Sequence, residues 1–187
     1  VFRKAISLAE TWLLKSQKIA VNVSGRTLLS DGFVAFVREI VQGSTLASDQ
    51  IQIEITETEI IENEGSAVEI CHQLKDLGVS ITLDDFGTGF SSLSYLSTLP
   101  VNALKIDRTF VQHCGSDSNL KILKSIVGLA RSLGLNLVVE GVEQESQLDI
   151  VRGLGCRHVQ GFYFSRPLSA AQCLNLNFEA ASLERAS

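Results

Sequence analysis

Ile81-Thr82-Leu83-Asp84-Asp85-Phe86-Gly87-Thr88-Gly89-Phe90-Ser91-Ser92 opens as a strand of apolar and β-branched residues and closes as a turn. Two adjacent carboxylates stand at the junction. Side chains alternate between the faces of a strand, so Asp84 and Asp85 cannot share a face of a regular one. They can converge only where the strand ends and the backbone turns. A parallel α/β fold places its chemistry there, at the carboxyl ends of its strands. Gly87 and Gly89 allow positive φ and the close approach of a ligand to the backbone. Read alone, the stretch is equally a strand followed by an Asp- and Gly-rich turn.

The flanking sequence repeats the same unit. Residues 1–15 have helical spacing, with Ala5, Leu8, Ala9, Trp12 and Leu13 on one stripe. A strand is expected over 18–24, ending at Asn22-Val23-Ser24, and a helix capped by Asp31 runs to about Val41. The alternating run 50–56 is a strand carrying Glu54, and Glu57 follows in the loop. A helix over 66–77 stops at Gly78. Beyond the Asp84-Asp85 strand, 91–99 is a short helix or turn closed by Pro100. Residues 103–107 form a strand with Lys105, and 118–133 a helix. Residues 135–142 form a strand with Glu140, and 146–154 a helix. The last strand, 158–164, carries Gln160 and Gly161, and a final helix is expected from Ala170 to about Leu183. This is a helix followed by roughly six βα units, the alternation of a parallel sheet, open or closed into a barrel. A full (β/α)8 barrel takes about 250 residues, roughly two units more than are present here.

The chain has 187 residues, 45% of them hydrophobic and 20% charged, an ordinary composition for one domain with a real core. A net charge of -5 argues against a broad nucleic-acid or membrane-surface binder, so an anionic substrate would need a local device such as metal ions. Cys71, Cys114, Cys156 and Cys173 lack zinc-like spacing and read as reduced thiols of a reducing compartment. No signal peptide or transmembrane-length apolar run is apparent. The chain contains no Met, and is read as part of something longer.

Polar residues interrupt every strand near its carboxyl end: Asn22, Glu54, Asp84, Asp85, Lys105, Glu140 and Gln160. One such residue is commonly a solvated edge. One on each strand of a parallel barrel would meet at a single face. Carboxylates with an amide oxygen suit hard divalent cations, which relieve their mutual repulsion. Lys105 is either a point charge for phosphate or water, or an ion-pair partner of a neighbouring carboxylate. His72, His113 and His158 have no metal spacing. Gly87-Thr88-Gly89 lacks the third glycine of a dinucleotide fingerprint.

In order along the chain stand NVS from Asn22, EITE from Glu54 to Glu57, DDFGTGFSSL from Asp84 to Leu93, LKID from Leu104 to Asp107, EGVE from Glu140 to Glu143, and QGFYFSRP from Gln160 to Pro167. Together they resemble the EAL domain of bacterial cyclic-di-GMP phosphodiesterases. The resemblance implies a (β/α)8 TIM-barrel-like domain over 1–187, incomplete at its amino-terminal strands, that hydrolyses cyclic di-GMP to linear pGpG with two Mg2+ or Mn2+ ions. It makes Asn22, Glu54, Asp84, Asp85 and Glu140 metal ligands, with Asp84 bridging. Lys105, Glu140 and Gln160 become catalytic, Lys105 holding the attacking water. Gln160, Phe86 and Gly87 are expected at the substrate, and Glu57 as the anchor of the loop after Asp85. It further implies a homodimer, no nucleic-acid polymer as partner, sensor or cyclase domains in the full-length protein, and a place on the cytoplasmic side of a protein that can be membrane-attached. The Glu-Ala-Leu segment that names the family is absent from these residues. Its glutamate would be a further ligand, so the chain as written is expected to lack a full metal site and to leave one sheet edge unpaired. The alternative is an inactive member that serves as a cyclic-di-GMP receptor or protein-interaction module.

Overall fold

Apolar residues at alternate positions of successive segments assemble one parallel sheet. The computed structural model describes residues 1–11, 17–88 and 93–174. Helix α1 (Phe2–Ala9) leads into β1 (Ile19–Asn22), α2 (Gly25–Leu28), α3 (Phe33–Gly43), β2 (Ile51–Thr56), α4 (Glu57–Glu62) and α5 (Glu64–Asp76). Then follow β3 (Ser80–Phe86), a 3-10 turn (Leu93–Ser97), β4 (Ala103–Ile106), α6 (Arg108–Gln112), α7 (Asp117–Ser132), β5 (Asn136–Val139), α8 (Glu145–Gly153), β6 (His158–Val159) and α9 (Ala170–Leu174). All six strands are parallel and ordered β1-β2-β3-β4-β5-β6, so each pairs with its neighbour in sequence. This is the (β/α) alternation expected from the sequence, the half-barrel of a TIM-barrel-like α/β fold. Among the described residues β1 pairs only with β2.

The two faces of the sheet differ in chemistry. Ile51, Ile53 and Ile55 of β2, Ile81 and Leu83 of β3, and Leu104 and Ile106 of β4 are buried in one hydrophobic cluster. Helices α3, α5 and α7 contribute Val37, Ile40, Cys71, Leu74, Leu123 and Val127 to that cluster. Burial of each large aliphatic side chain contributes about 1.5–3 kcal/mol. The alternate positions carry Asn22, Glu54, Asp84 and Lys105.

Several boundaries differ from expectation. Glu57 does not lie in a loop but opens α4, because the Glu59 carboxylate turns back to accept from Thr56 N (3.3 Å) and Thr56 Oγ1 (2.9 Å). Asp31 does not cap α3: Gly32, at φ +83°, precedes its first turn with no side-chain cap. The short helices α2 and α6 start at Ser24 and Asp107, each of which accepts from its own first turn. Strand β5 ends at Val139, and the last strand is only His158–Val159. Gly161 ends that pairing, its Cα packed against the Val142 backbone where no side chain would fit. Trp12, Leu13, the stretch 89–92 and the helix expected past Leu174 lie outside the described residues. No helix among the described residues is long and apolar enough to cross a membrane.

Candidate functional site

Register places the polar residues at one end of the sheet. Asn22 is opposite Glu54, and Glu54 opposite Thr82, so the three side chains line one face. Asp84 lies two residues beyond Thr82 on that face, and Lys105 two beyond Ala103, the partner of Thr82. Between β3 and β4 the register slips: Leu83 pairs with Leu104, but Phe86 pairs with Ile106. Two acids of β3 therefore oppose the single Lys105, which is a β-bulge. Asp85 takes φ +54°, a left-handed conformation that Asp tolerates better than most residues. The slip overcomes the alternation rule. Carboxylate oxygens of Asp84, Asp85 and Glu140 all lie within 4.8 Å of one another.

Lys105 is the hub of this end of the sheet. Its Nζ donates to Glu54 Oε2 (2.8 Å), Asp84 Oδ2 (2.9 Å) and Glu140 Oε1 (2.6 Å). The ammonium thereby meets three acceptors with its three donors. Residue exposure is 6% for Lys105, 7% for Glu54 and 8% for Asp84, so these charges are held largely away from water. Burial pulls the Lys105 pKa down, but the hydrogen bonds from Glu140, Glu54 and Asp84 together outweigh it and hold the pKa above the ordinary lysine value. Burial pushes the Glu140 carboxyl up, against the opposing pull of Lys105. Asp85 is also pushed up, by burial first and then by the charges of Asp84 and Asp107. Glu54, Asp84, Asp85 and Glu140 carry more negative charge than one lysine offsets, and the hard oxygen donors of Asp84, Asp85 and Glu140 at this spacing fit a divalent cation.

The surrounding residues fix the cluster. Gln160 Nε2 donates to Glu140 Oε1 (2.6 Å), and the Asp85 amide to Asp84 Oδ1 (2.9 Å). Glu57, 1% exposed, accepts from the Gly87 amide (2.9 Å) and from Tyr95 Oη–H (2.7 Å), tying α4 to the turn after Asp85. Gly87 itself sits at φ +93°. Asn22 is exposed on the edge strand and borders an open cavity of about 690 Å³ shared with Glu54, Thr56 and Glu59. Phe86, expected at the substrate, is instead 3% exposed in the core, because the bulge turns its ring to the apolar face.

Three participants went unread in the sequence. Gln52 Nε2 donates to Glu54 Oε1 (3.1 Å), and its place two residues earlier on the same face was legible in the alternation of 50–56. Tyr95 had no such signal. Glu59 also accepts from the Gly25 amide (2.5 Å), linking α2 to the end of β2. A Glu three residues after Thr56 was the available clue.

Known proteins share this chain's sequence and geometry. It is 41% identical over 157 residues to the bifunctional diguanylate cyclase/cyclic di-GMP phosphodiesterase MucR of Pseudomonas aeruginosa, covering 83% of this chain and 23% of MucR. It is 39% identical over 155 residues to the cyclic di-GMP phosphodiesterase NbdA of the same organism, covering 82% and 20%. The chain thus spans about a fifth to a quarter of the length of these relatives. Among solved structures, the MucR phosphodiesterase in complex with c-di-GMP superposes with a TM-score of 0.87 at 39% identity, over 92% of this chain and 71% of that one. The EAL domain of Mycobacterium smegmatis DcpA gives 0.86 at 34%, over 93% and 80%. The family model described as EAL domain matches residues 1–167, and the chain belongs to that family.

Proposed function

We propose that the chain is part of a domain that hydrolyses cyclic di-GMP to linear pGpG, the Glu-Ala-Leu glutamate of that domain being a further metal ligand that these residues do not supply. The observation that carries this reading is the convergence of Glu54, Asp84 and Glu140 on Lys105, with Asp85 brought alongside by the bulge. The names of MucR and NbdA support the choice of substrate. Asp84, Asp85 and Glu140 would hold one Mg2+ or Mn2+, and Asn22, Glu54 and Asp84 would contribute to a second. Such ions, when bound, neutralise the phosphodiester and lower the pKa of water.

The chain's own groups do the rest. Lys105, with its raised pKa, stays a cation at neutral pH and so acts as a donor, not a base. Its three N–H donors hold Glu54, Asp84 and Glu140, and it positions the attacking water through these carboxylates. The water oxygen forms the new bond to phosphorus as the bond from phosphorus to the ribose 3′ oxygen breaks. The proton leaving the water passes to Glu140, a carboxylate of the same cluster. The 3′ oxygen leaves with a proton from solvent. Gln160 keeps Glu140 in line through its 2.6 Å hydrogen bond, and Glu57 fixes the turn at Gly87. The chain would work within one catalytic domain of a longer signalling protein.

The test is to incubate the protein with cyclic di-GMP and Mg2+ or Mn2+ and to resolve the products by chromatography. Appearance of pGpG, lost on Glu54→Ala or Asp84→Ala and on chelation, supports the proposal. Binding of the nucleotide without turnover under both metals refutes the hydrolase and leaves a receptor.

A further inference from the structure

Thr82 is 0% exposed, and its Oγ1 is the one buried side-chain oxygen or nitrogen without a hydrogen-bond partner among the described residues. Its neighbours on the same face are served. Ser80 Oγ accepts from Lys18 Nζ (3.0 Å) and donates to the Asp49 carbonyl (3.4 Å), and Glu54 Oε1 accepts from Gln52 Nε2 (3.1 Å). A hydroxyl cut off from water with no partner costs stability, so its presence calls for a use. Register fixes where it lies. Thr82 stands opposite Glu54 of β2 on one side and opposite Ala103 of β4 on the other. Lys105, two residues beyond Ala103, reaches Glu54 Oε2 at 2.8 Å although β3 runs between their strands. The ion pair therefore crosses β3 on the face that carries Thr82 and Asp84, and Thr82 lies beneath it.

We propose that Thr82 is a positioning residue for Lys105: its Oγ1 accepts the Nζ donor that Glu54 releases when Glu54 turns to a divalent cation. The exchange rests on the metal half of the hydrolase reading and not on the choice of substrate. All three donors of the ammonium are taken by Glu54, Asp84 and Glu140. These are also carboxylates that would hold the ions. A carboxylate oxygen that turns to a cation gives up its bond from Lys105, and a buried ammonium with a donor unmet is costly. Thr82 supplies a neutral acceptor beside the pair, so the lysine stays in place while Glu54 changes partner. The hydroxyl that costs stability in the metal-free protein thus favours metal binding.

The experiment titrates Mn2+ into the chain by calorimetry, for the wild type, Thr82→Val and Thr82→Ser, and measures urea unfolding of each in chelator. Val keeps the shape and removes the hydroxyl, and Ser keeps the hydroxyl. Thr82→Val is expected to bind Mn2+ about tenfold more weakly, the scale of one hydrogen bond to a charged group, yet to unfold in chelator at the wild-type midpoint or above it. Thr82→Ser should bind within about threefold of the wild type. In a Lys105→Met background, Thr82→Val should change the Mn2+ affinity by less than about twofold, because the two residues act as one unit. A Thr82→Val affinity within about twofold of the wild type overturns the proposal, as does the same tenfold loss with and without Lys105. So does a Thr82→Val midpoint lowered in chelator, which would mean that the hydroxyl already has a partner. A wild type that takes no Mn2+ removes the metal reading itself, and the exchange with it. Circular dichroism verifies that each variant folds, and the single variants carry the test where Lys105→Met does not.

Discussion

Replacing Lys105 by Met probes the hub directly. The substitution keeps most of the side-chain volume and removes the charge that Glu54, Asp84 and Glu140 share. Glu54 and Asp84 would remain 7% and 8% exposed with no cation between them. Removing one partner of a buried ion pair costs about 3–5 kcal/mol, mostly the desolvation of the charge left behind. With a urea m-value of about 1–3 kcal/mol/M, the unfolding midpoint should fall by roughly 1–5 M in chelator at pH 7.5. The pH dependence should differ between the two proteins. In the wild type the folded pKa of Lys105 is raised above its unfolded value. Its stabilisation is therefore fully present below the unfolded lysine value of about 10.4 and is lost only as pH rises through the higher folded value. In Lys105→Met the stranded carboxyls take up protons more readily folded than unfolded, so the deficit should shrink as pH falls from 7.5 toward 5. Addition of Mg2+ should narrow it as well. A midpoint shift below about 0.3 M in chelator, or a deficit that grows on acidification, would refute the assignment of Lys105 as the charge that holds the cluster together.

Glu57→Ala removes the acceptor of the Gly87 amide and of the buried Tyr95 hydroxyl and should cost about 1–3 kcal/mol, while Tyr95→Phe should cost less; thermal unfolding reads both. Asp85 occupies the left-handed region, so Asp85→Asn should unfold near the wild type and Asp85→Val about 1–3 kcal/mol below it. Equal midpoints would remove the case for the bulge geometry. Gly161→Ala drives a methyl into the Val142 backbone, which cannot move aside as a side chain can, and should destabilise by about 1–3 kcal/mol and loosen Gln160 from Glu140. Cys71, Cys114 and Cys156 are buried, and burial pushes the Cys71 thiol up to about 12, so a thiol reagent should modify Cys173 rapidly and these three only on unfolding. Fast labelling of more than one thiol in the native protein contradicts the packing.

The sequence carried the strands well where both faces are covered. Residues 50–56 and 80–86 alternate or run apolar because one face meets helices and the other carries the site. It overextended the last strand, since His158–Phe164 is apolar enough to pair but Gly161 meets the Val142 backbone and stops the ladder. It misplaced Glu57 because apolar spacing is weak in a six-residue helix. The polar residues at strand ends were visible singly. Their convergence was not, for two reasons. A bulge leaves no mark in a one-dimensional pattern, and alternation alone sends Asp84 and Asp85 to opposite faces. Nor does spacing say that one ammonium joins residues as far apart as Glu54 and Glu140. That link depends on how far each strand is staggered against the next.

The strand order also sets a constraint on synthesis. Because every neighbour in the sheet is the next in sequence, β2 and β3 leave the ribosome before β4. Glu54, Asp84 and Asp85 are therefore made before Lys105, their counter-charge. A nascent chain ending ahead of Lys105 would put Glu54 and Asp84 on one face of two strands without the lysine that joins them. The last strand of the three to be made, β4, is thus the one that brings the cation shared by β2 and β3.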